Sequence, residues 1–325
     1  MKTSIFLFLA LLTTTIAEAQ VSKNVIVEHF TNTRCSICAS RNPGFYSNLE
    51  NHPNVIHVAY HPSAPYNTCV LNLHNVSGND GRTNHYNIYG STPRIVIQGD
   101  VISASTNYGS MTLFTPYENQ TAAISIVFTT SAIQGDSVFI NLEATVEDTH
   151  SYQSLDLYVG LYEDTVFYNA PNGEDEHYDV FRIALTGASG ELVSVPSTVG
   201  QKISFSAKVK ISPEWDLSRM YPVAILQETT SKDVIQVEKG SYAEQVTSVG
   251  EPEVSSLSFD NLVRNTLVID HKLNALSIYD LNGRLVKQSN YWTGEMDVSD
   301  LDSGLYILVY KLGQISNSYK LVVVD

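Results

Sequence analysis

The chain has 325 residues, a net charge of −15 and only 16% charged side chains. A protein this acidic repels phosphate backbones and anionic membranes, and no basic stripe runs through it, so nucleic acid is excluded as the expected partner. The length predicts about two domains with room for a third, and the 19 tyrosines, with frequent Val, Ile, Thr and Ser, favour β-structure.

Residues 1–19 read as a secretory signal peptide. Lys2 gives a positive start, 5–12 are almost wholly apolar, and Ala17-Glu18-Ala19 is a small-x-small cleavage site. The stretch is too short to span a bilayer, and the alternative is a short uncleaved anchor. The expected mature chain begins at Gln20. No later stretch is long and apolar enough for a transmembrane span, so the expectation is export to an oxidising compartment.

Residues 20–121 alternate strands and helices. Val25–Phe30 and Val55–Tyr60 read as strands, with a helix between them from Ser36 to about Glu50 that Pro43 bends. An irregular excursion over 61–79 holds Pro62, Pro65 and Cys69. A helix follows at 81–89, a strand at 94–98, its hairpin partner at 101–104 across Gly99-Asp100, and a weak closing helix over 106–121. Residues 122–245 change texture. Seven strands at 123–128, 137–146, 155–162, 178–185, 202–209, 222–228 and 234–239 predict a β-sandwich without a cysteine. Residues 246–256, with Gly250 and Pro252, have the composition of a linker. Residues 257–325 form a second small β-module, with Asn282-Gly283 as a hairpin signal and a final strand pair at 305–312 and 319–324.

Cys35-Ser36-Ile37-Cys38 lies directly after the first strand and directly before the first helix. A helix N-terminus presents unpaired N–H groups and partial positive charge, which stabilise a thiolate. Cys35 is then a usable nucleophile, and Cys38, one helical turn on, closes a disulfide or releases a trapped partner. The bland alternative is a static structural disulfide, common in exported proteins. Cys69 is the odd cysteine: a buried small hydrophobe, an intermolecular partner, or a thiol that resolves the active pair. His52, His57, His61, His74 and His85 show no HxH, HxxxH or HExxH spacing, so no metal is expected. Gly78-Asn79-Asp80-Gly81 and the run Asn172 to Glu176 match no EF-hand loop, and turn chemistry explains them. No GxSxG or phosphate loop occurs, and no cofactor is expected.

Ser91-Thr92-Pro93-Arg94-Ile95-Val96-Ile97, read with the CxxC, resembles the cis-proline loop of the thioredoxin superfamily. The resemblance implies that Pro93 packs against the Cys35–Cys38 pair and that the adjacent backbone captures an extended peptide. Cys35, Cys38 and Pro93 are thus the expected catalytic residues. Arg34 stands where thioredoxins often carry Trp, and Ile37 where they often carry Pro. Arg34 either stabilises a Cys35 thiolate or is a solvated charge. Glu28 is a candidate for the buried acid of that superfamily, one residue out of the usual spacing.

The tail carries a second resemblance. Ser277-Ile278-Tyr279-Asp280-Leu281-Asn282-Gly283-Arg284, then Asp297-Val298-Ser299-Asp300-Leu301-Asp302-Ser303-Gly304-Leu305-Tyr306-Ile307-Leu308, then Lys320-Leu321-Val322-Val323-Val324 is similar to the type IX secretion sorting domain of Bacteroidetes. That likeness implies the type IX secretion machinery as partner through 257–325, and an outer-membrane surface or secreted location. Residues 24–245 resemble the Omp-twenty-eight-related outer-membrane proteins of the same phylum. The opening Val25 to Cys38 and His177-Tyr178-Asp179-Val180-Phe181-Arg182 carry that resemblance, with Asn32 and Arg34 replacing its usual Gly and Trp. The expected fold is multidomain: an α/β thioredoxin-like domain (20–121), an all-β sandwich (122–245), a linker (246–256) and a small C-terminal β-module (257–325). Two functions fit. One is a surface thiol–disulfide oxidoreductase acting on a protein thiol or disulfide. The other is a non-catalytic binding or adhesion protein in which Cys35–Cys38 is a staple.

Overall fold

The computed structural model describes residues 20–245, 259, 261–269, 273, 275–281, 283–289, 292–312 and 315–324. The expected signal peptide and linker lie outside the described residues. The chain divides after Val246 into two compact units.

The first unit opens with β1 (Val21–Ser22), β2 (Val25–Phe30), α1 (Ser36–Glu50), β3 (Val55–Tyr60), α2 (Val70–Leu73), α3 (Val76–His85), β4 (Arg94–Ile97) and β5 (Asp100–Val101). It continues as strands: β6 (Thr121–Ala122), β7 (Ile124–Gln134), β8 (Ser137–Val146), β9 (Ser154–Phe167), β10 (Glu176–Ala184), β11 (Glu191–Ser194), β12 (Lys202–Lys210), β13 (Met220–Gln227), β14 (Val234–Lys239) and β15 (Glu244–Gln245). A nine-stranded sheet runs β14-β13-β9-β10-β3-β2-β4-β5, with β11 also on β9. A four-stranded sheet runs β12-β8-β7-β15.

One sheet runs across the expected division at 121/122. β10 lies parallel to β3, Val180 opposite Ala59, so strands from both segments share one sheet. The physical reason is the edge of β3, whose N–H and C=O groups need a neighbour. The β9–β10 hairpin supplies it.

β2 reads VIVEHF and is buried at every position, because elements cover both faces of its sheet. Val25 and Val27 pack with Phe45 of α1, Ile95, Ile97 and Phe114. Ile26 and Phe30 face the other way, into Tyr60, Tyr86, Tyr162 and Phe181. A further core joins the two sheets, with Ile140 and Leu142 of β8 against Leu157 of β9 and Leu226 of β13.

α1 continues through Pro43 to Glu50. Burial of Phe45 and Asn48 outweighs the one missing N–H. α3 starts earlier than expected because Asn75 caps it, its side chain accepting the Gly78 N–H. Gly78 and Gly81 let this helix press on the sheet and its neighbouring loop. A Cβ at Gly78 would sit 2.6 Å from the Phe181 ring, and one at Gly81 would sit 2.6 Å from Ala188 Cβ. No helix forms over 106–121; the segment runs as turns. Asn48 Nδ2 donates to the carbonyls of Tyr108 and Ser110, both at 3.0 Å, holding those groups outside any helical ladder.

The second unit contains β16 (Leu262–Val263), β17 (Thr266–Val268), β18 (Ala275–Tyr279), β19 (Leu285–Ser289), β20 (Glu295–Asp297), β21 (Gly304–Leu312) and β22 (Ile315–Val323). Five of these strands form a sheet ordered β16-β22-β21-β18-β19, and β17 pairs with β20. Leu276, Ile278, Val298, Leu308 and Leu321 fill its core. Among the described residues no helix is long and apolar enough to cross a membrane.

Candidate functional site

The loop after β2 is fixed by its own polar side chains. Asn32 Nδ2 donates to the carbonyls of Pro62 (2.9 Å) and Tyr66 (3.1 Å), while its Oδ1 accepts the Arg34 N–H at 3.0 Å. Thr33 Oγ1 donates to Cys69 Sγ at 3.1 Å. Arg34 points to solvent, and its Nε donates to the Thr68 carbonyl at 2.9 Å. The excursion carrying Pro62 and Cys69 is thereby tied against the CxxC loop, and Cys69 is a buried free thiol.

Cys35 and Cys38 form a disulfide. Cys35 is the N-cap of α1, and its Sγ accepts the Cys38 N–H at 3.0 Å. No acidic side chain stands in the first turn, so the helix N-terminus acts on the sulfur undiminished. The Thr92–Pro93 peptide is cis, and the Thr92 carbonyl oxygen lies 3.6 Å from Cys35 Sγ. The carbonyl immediately before Pro93 therefore lies beside the disulfide. Ile37 is 59% exposed between the cysteines, but Cys35 is only 2% exposed.

The loop between β9 and β10 covers it. Asn172 N–H donates to the Thr33 carbonyl (3.2 Å), and its side-chain amide donates to the carbonyls of Asn32 (3.3 Å) and Cys35 (3.2 Å). Glu174 completes the latch by accepting from Asn42 of α1 at 2.7 Å. Sequence reading missed this arm. Asn172 is 137 positions from Cys35, and Pro171-Asn172-Gly173 carries only a turn signal.

Glu28 is not placed to serve the cysteines. Its carboxylate takes Arg82 Nε (2.6 Å) and Nη2 (2.8 Å) together with the Tyr86 hydroxyl. This buried, fully engaged ion pair lies on the α3 face of β2. The buried ionisable residue on the α1 face is His29, edge-on to Phe45 at 4.9 Å. His29 Nδ1 lies 3.4 Å from His57 Nε2, and His57 Nδ1 lies 2.8 Å from Asp179 Oδ2. Burial pushes His29 well below the ordinary histidine range, with His57 and His61 adding to the shift, so it stays neutral. Asp179 itself has φ +52° inside β10 and is held by His57 and by the Tyr221 hydroxyl, with Lys239 3.8 Å away. A left-handed aspartate in a strand persists only where its surroundings hold it.

Beside this chain of side chains, α1 and the β9–β10 hairpin line an open cavity of about 890 Å³. The His177 and Arg182 of the sequence motif lie elsewhere. His177 Nε2 meets the Tyr168 carbonyl at 3.0 Å, and Arg182 pairs with Glu163 at 2.7 Å and touches His74 Nδ1 at 2.7 Å. Among the described residues, no group of three or more His, Cys, Asp or Glu side chains is arranged to hold a metal ion.

Comparison with known proteins agrees with this arrangement of one mixed unit and a tail. The family profile described as outer membrane protein Omp28 matches residues 82–246. The chain belongs to the Omp28 family. A profile described as a secretion system C-terminal sorting domain matches residues 261–324. HBP35 of Porphyromonas gingivalis is 16% identical over 94% of this chain and 99% of its own, with a TM-score of 0.58, which shows a shared fold. A domain of the outer membrane lipoprotein Omp28 from Porphyromonas gingivalis is 16% identical over 38% of this chain and 91% of its own, with a TM-score of 0.29. No curated protein matches the chain. The Omp28 match begins after Cys35 and Cys38, so membership rests on α3 onward and not on the disulfide. An Omp28 chain with this sorting tail is an exported protein of the outer-membrane surface or the medium, and the tail brings in the type IX secretion machinery.

Proposed function

We propose that the first unit is a thiol–disulfide oxidoreductase displayed at the cell surface. In this reading residues 20–121 are thioredoxin-like, 122–245 are a β-sandwich grafted onto their sheet, 246–256 link the units, and 257–325 are a removable sorting domain. One observation carries the reading: Cys35 caps a 15-residue helix, bonded to Cys38, with the Thr92 carbonyl beside its sulfur. In the reduced protein the Cys35 thiolate attacks a substrate disulfide, and one substrate sulfur leaves as a thiolate and takes a proton. Cys38 then attacks Cys35 Sγ, re-forms the Cys35–Cys38 bond and releases the second substrate thiol. Two electrons pass from the dithiol to the substrate. Pro93 and the Thr92 carbonyl shape the edge along which a substrate backbone lies. The same steps in reverse oxidise a substrate dithiol.

A specific observation favours the second reading, in which the disulfide is only a staple. Cys35 is 2% exposed beneath the Asn172 loop. Alkylation decides between the two. A nucleophilic Cys35 in the reduced protein labels with iodoacetamide at a midpoint below the free-thiol value of about 8.5, and Cys38→Ser traps mixed disulfides where Cys35→Ser traps none. Midpoints at or above that value for both thiols, with no trapped species, leave the staple.

A further inference from the structure

The cavity between α1 and the β9–β10 hairpin has a recognition chemistry of its own. Its volume, about 890 Å³, exceeds one side chain and falls in the roughly 300–1,000 Å³ range of ligand sites. Tyr46 of α1 and Tyr178 of β10 form a T-shaped pair in its wall, ring centroids 4.9 Å apart. Around them stand Glu50, Asp164, Glu174, Asp175, Glu176 and Asp179, against Lys239 as the one lysine or arginine in the lining among the described residues. The Tyr178 hydroxyl is held by Glu176, which raises it to about 12, so this ring stays neutral. Burial and then the Glu174 charge hold Tyr46 protonated as well. Asp164, Glu174, Glu176 and Asp179 have hydrogen-bond partners within the protein, whereas Glu50 and Asp175 stand exposed at the rim. Neutral aromatic faces ringed by carboxylates attract ammonium and guanidinium groups. Lys239 of the lining makes one such contact with a ring behind the wall: its Nζ lies 3.7 Å from the centroid of buried Tyr221 and 3.8 Å from Asp179.

We infer that this cavity binds a basic polypeptide segment, a lysine or arginine side chain packing against the Tyr46–Tyr178 pair with the rim carboxylates Glu50 and Asp175 around it. The cavity shares Ala39 and the Asn172–Glu174 loop with the surroundings of Cys35, so it names the substrate class of the proposed oxidoreductase: polypeptides with cationic residues near the reacting sulfur. The thiol step rests on that reading. Binding itself does not.

The test is calorimetry of the full oxidised chain with an acetylated, amidated Gly-Lys-Gly-Lys-Gly peptide, its arginine counterpart, and the same peptide with norleucine or glutamate at the lysine positions. The lysine and arginine peptides should bind saturably at low salt, and the norleucine and glutamate peptides should not. Tyr178→Ala and the double variant Glu50→Gln/Asp175→Asn should each weaken binding about three- to tenfold, as for loss of a cation–π or rim-charge contact. Glu191→Gln, an equal type of charge change on the exposed edge strand β11, should leave it unchanged. Equal binding of the norleucine peptide, wild-type binding by both cavity variants, or no saturation with either basic peptide would overturn the inference. Thiol assays are read separately. Peptide binding without thiol reactivity refutes the oxidoreductase and keeps the cavity; thiol turnover with no basic-peptide binding does the reverse.

Discussion

His61 is the residue at which the fold carries an unusual electrostatic load. It is buried, and neither ring nitrogen meets a hydrogen-bond partner among the described residues. Burial holds it well below the ordinary histidine range, with His177 and Arg182 adding, and His29 is shifted in the same direction. The unfolded chain protonates both rings near pH 6.5, whereas the folded chain does so only at lower pH. Between those values the unfolded state binds more protons. The stability contribution is therefore complete above about pH 6.5 and is lost as the pH falls toward the folded values, at about 1.4 kcal/mol per pH unit for each ring. Urea unfolding at pH 7.5, 6.0 and 5.0 should show this decline, and His61→Leu should flatten it. A slope unchanged by His61→Leu would mean that the ring is protonated, or exposed, in the native state.

At the scale of elements, two contacts decide what α1 and α3 do. The Arg82–Glu28 pair pins α3 to β2 with both partners fully buried. Arg82→Met leaves the Glu28 carboxylate buried without its cation, and should cost about 3–5 kcal/mol in denaturant unfolding, while Arg82→Met with Glu28→Leu should cost much less. The Asn172 latch holds the β9–β10 loop on the CxxC. Asn172→Ala removes its two side-chain hydrogen bonds to the CxxC loop, each about 0.5–1.5 kcal/mol net, along with its two to Glu174. Reduction of Cys35–Cys38 by dithiothreitol, followed by alkylation, should then run at least about fivefold faster, because loop opening becomes that much more frequent. An unchanged rate would show that the loop does not guard the disulfide.

For the whole molecule, the division after Val246 separates a working unit from a sorting unit. The second unit has its own core, centred on Leu276, Ile278 and Leu308. Deletion of 257–325 should leave 20–250 folded, with the same thermal melt and the same alkylation profile, while export across the outer membrane stops and the product collects in the periplasm. Fractionation of cells expressing full-length and truncated chains reads the outcome. Normal arrival of the truncated chain at the surface or in the medium would make the tail an ordinary β-domain.

The sequence alone determined what is written in local patterning. Alternation and burial-ready runs marked β2, β3, β8 and β14, a CxxC before a helical segment marked the disulfide, and three ordered motifs marked the sorting tail. The resemblance also pointed to the Thr92–Pro93 loop, whose Thr92 carbonyl lies beside Cys35 Sγ. Tertiary structure decided everything that depends on distant segments meeting. Whether Glu28 or His29 faces α1 is set by one step of strand alternation, which the sequence shows equally for both. β10 joins β3 across the expected division at 121, because an open strand edge takes whatever partner the fold brings to it. Asn172 covers Cys35, and Tyr178 meets Tyr46, through chain separations that no local pattern encodes.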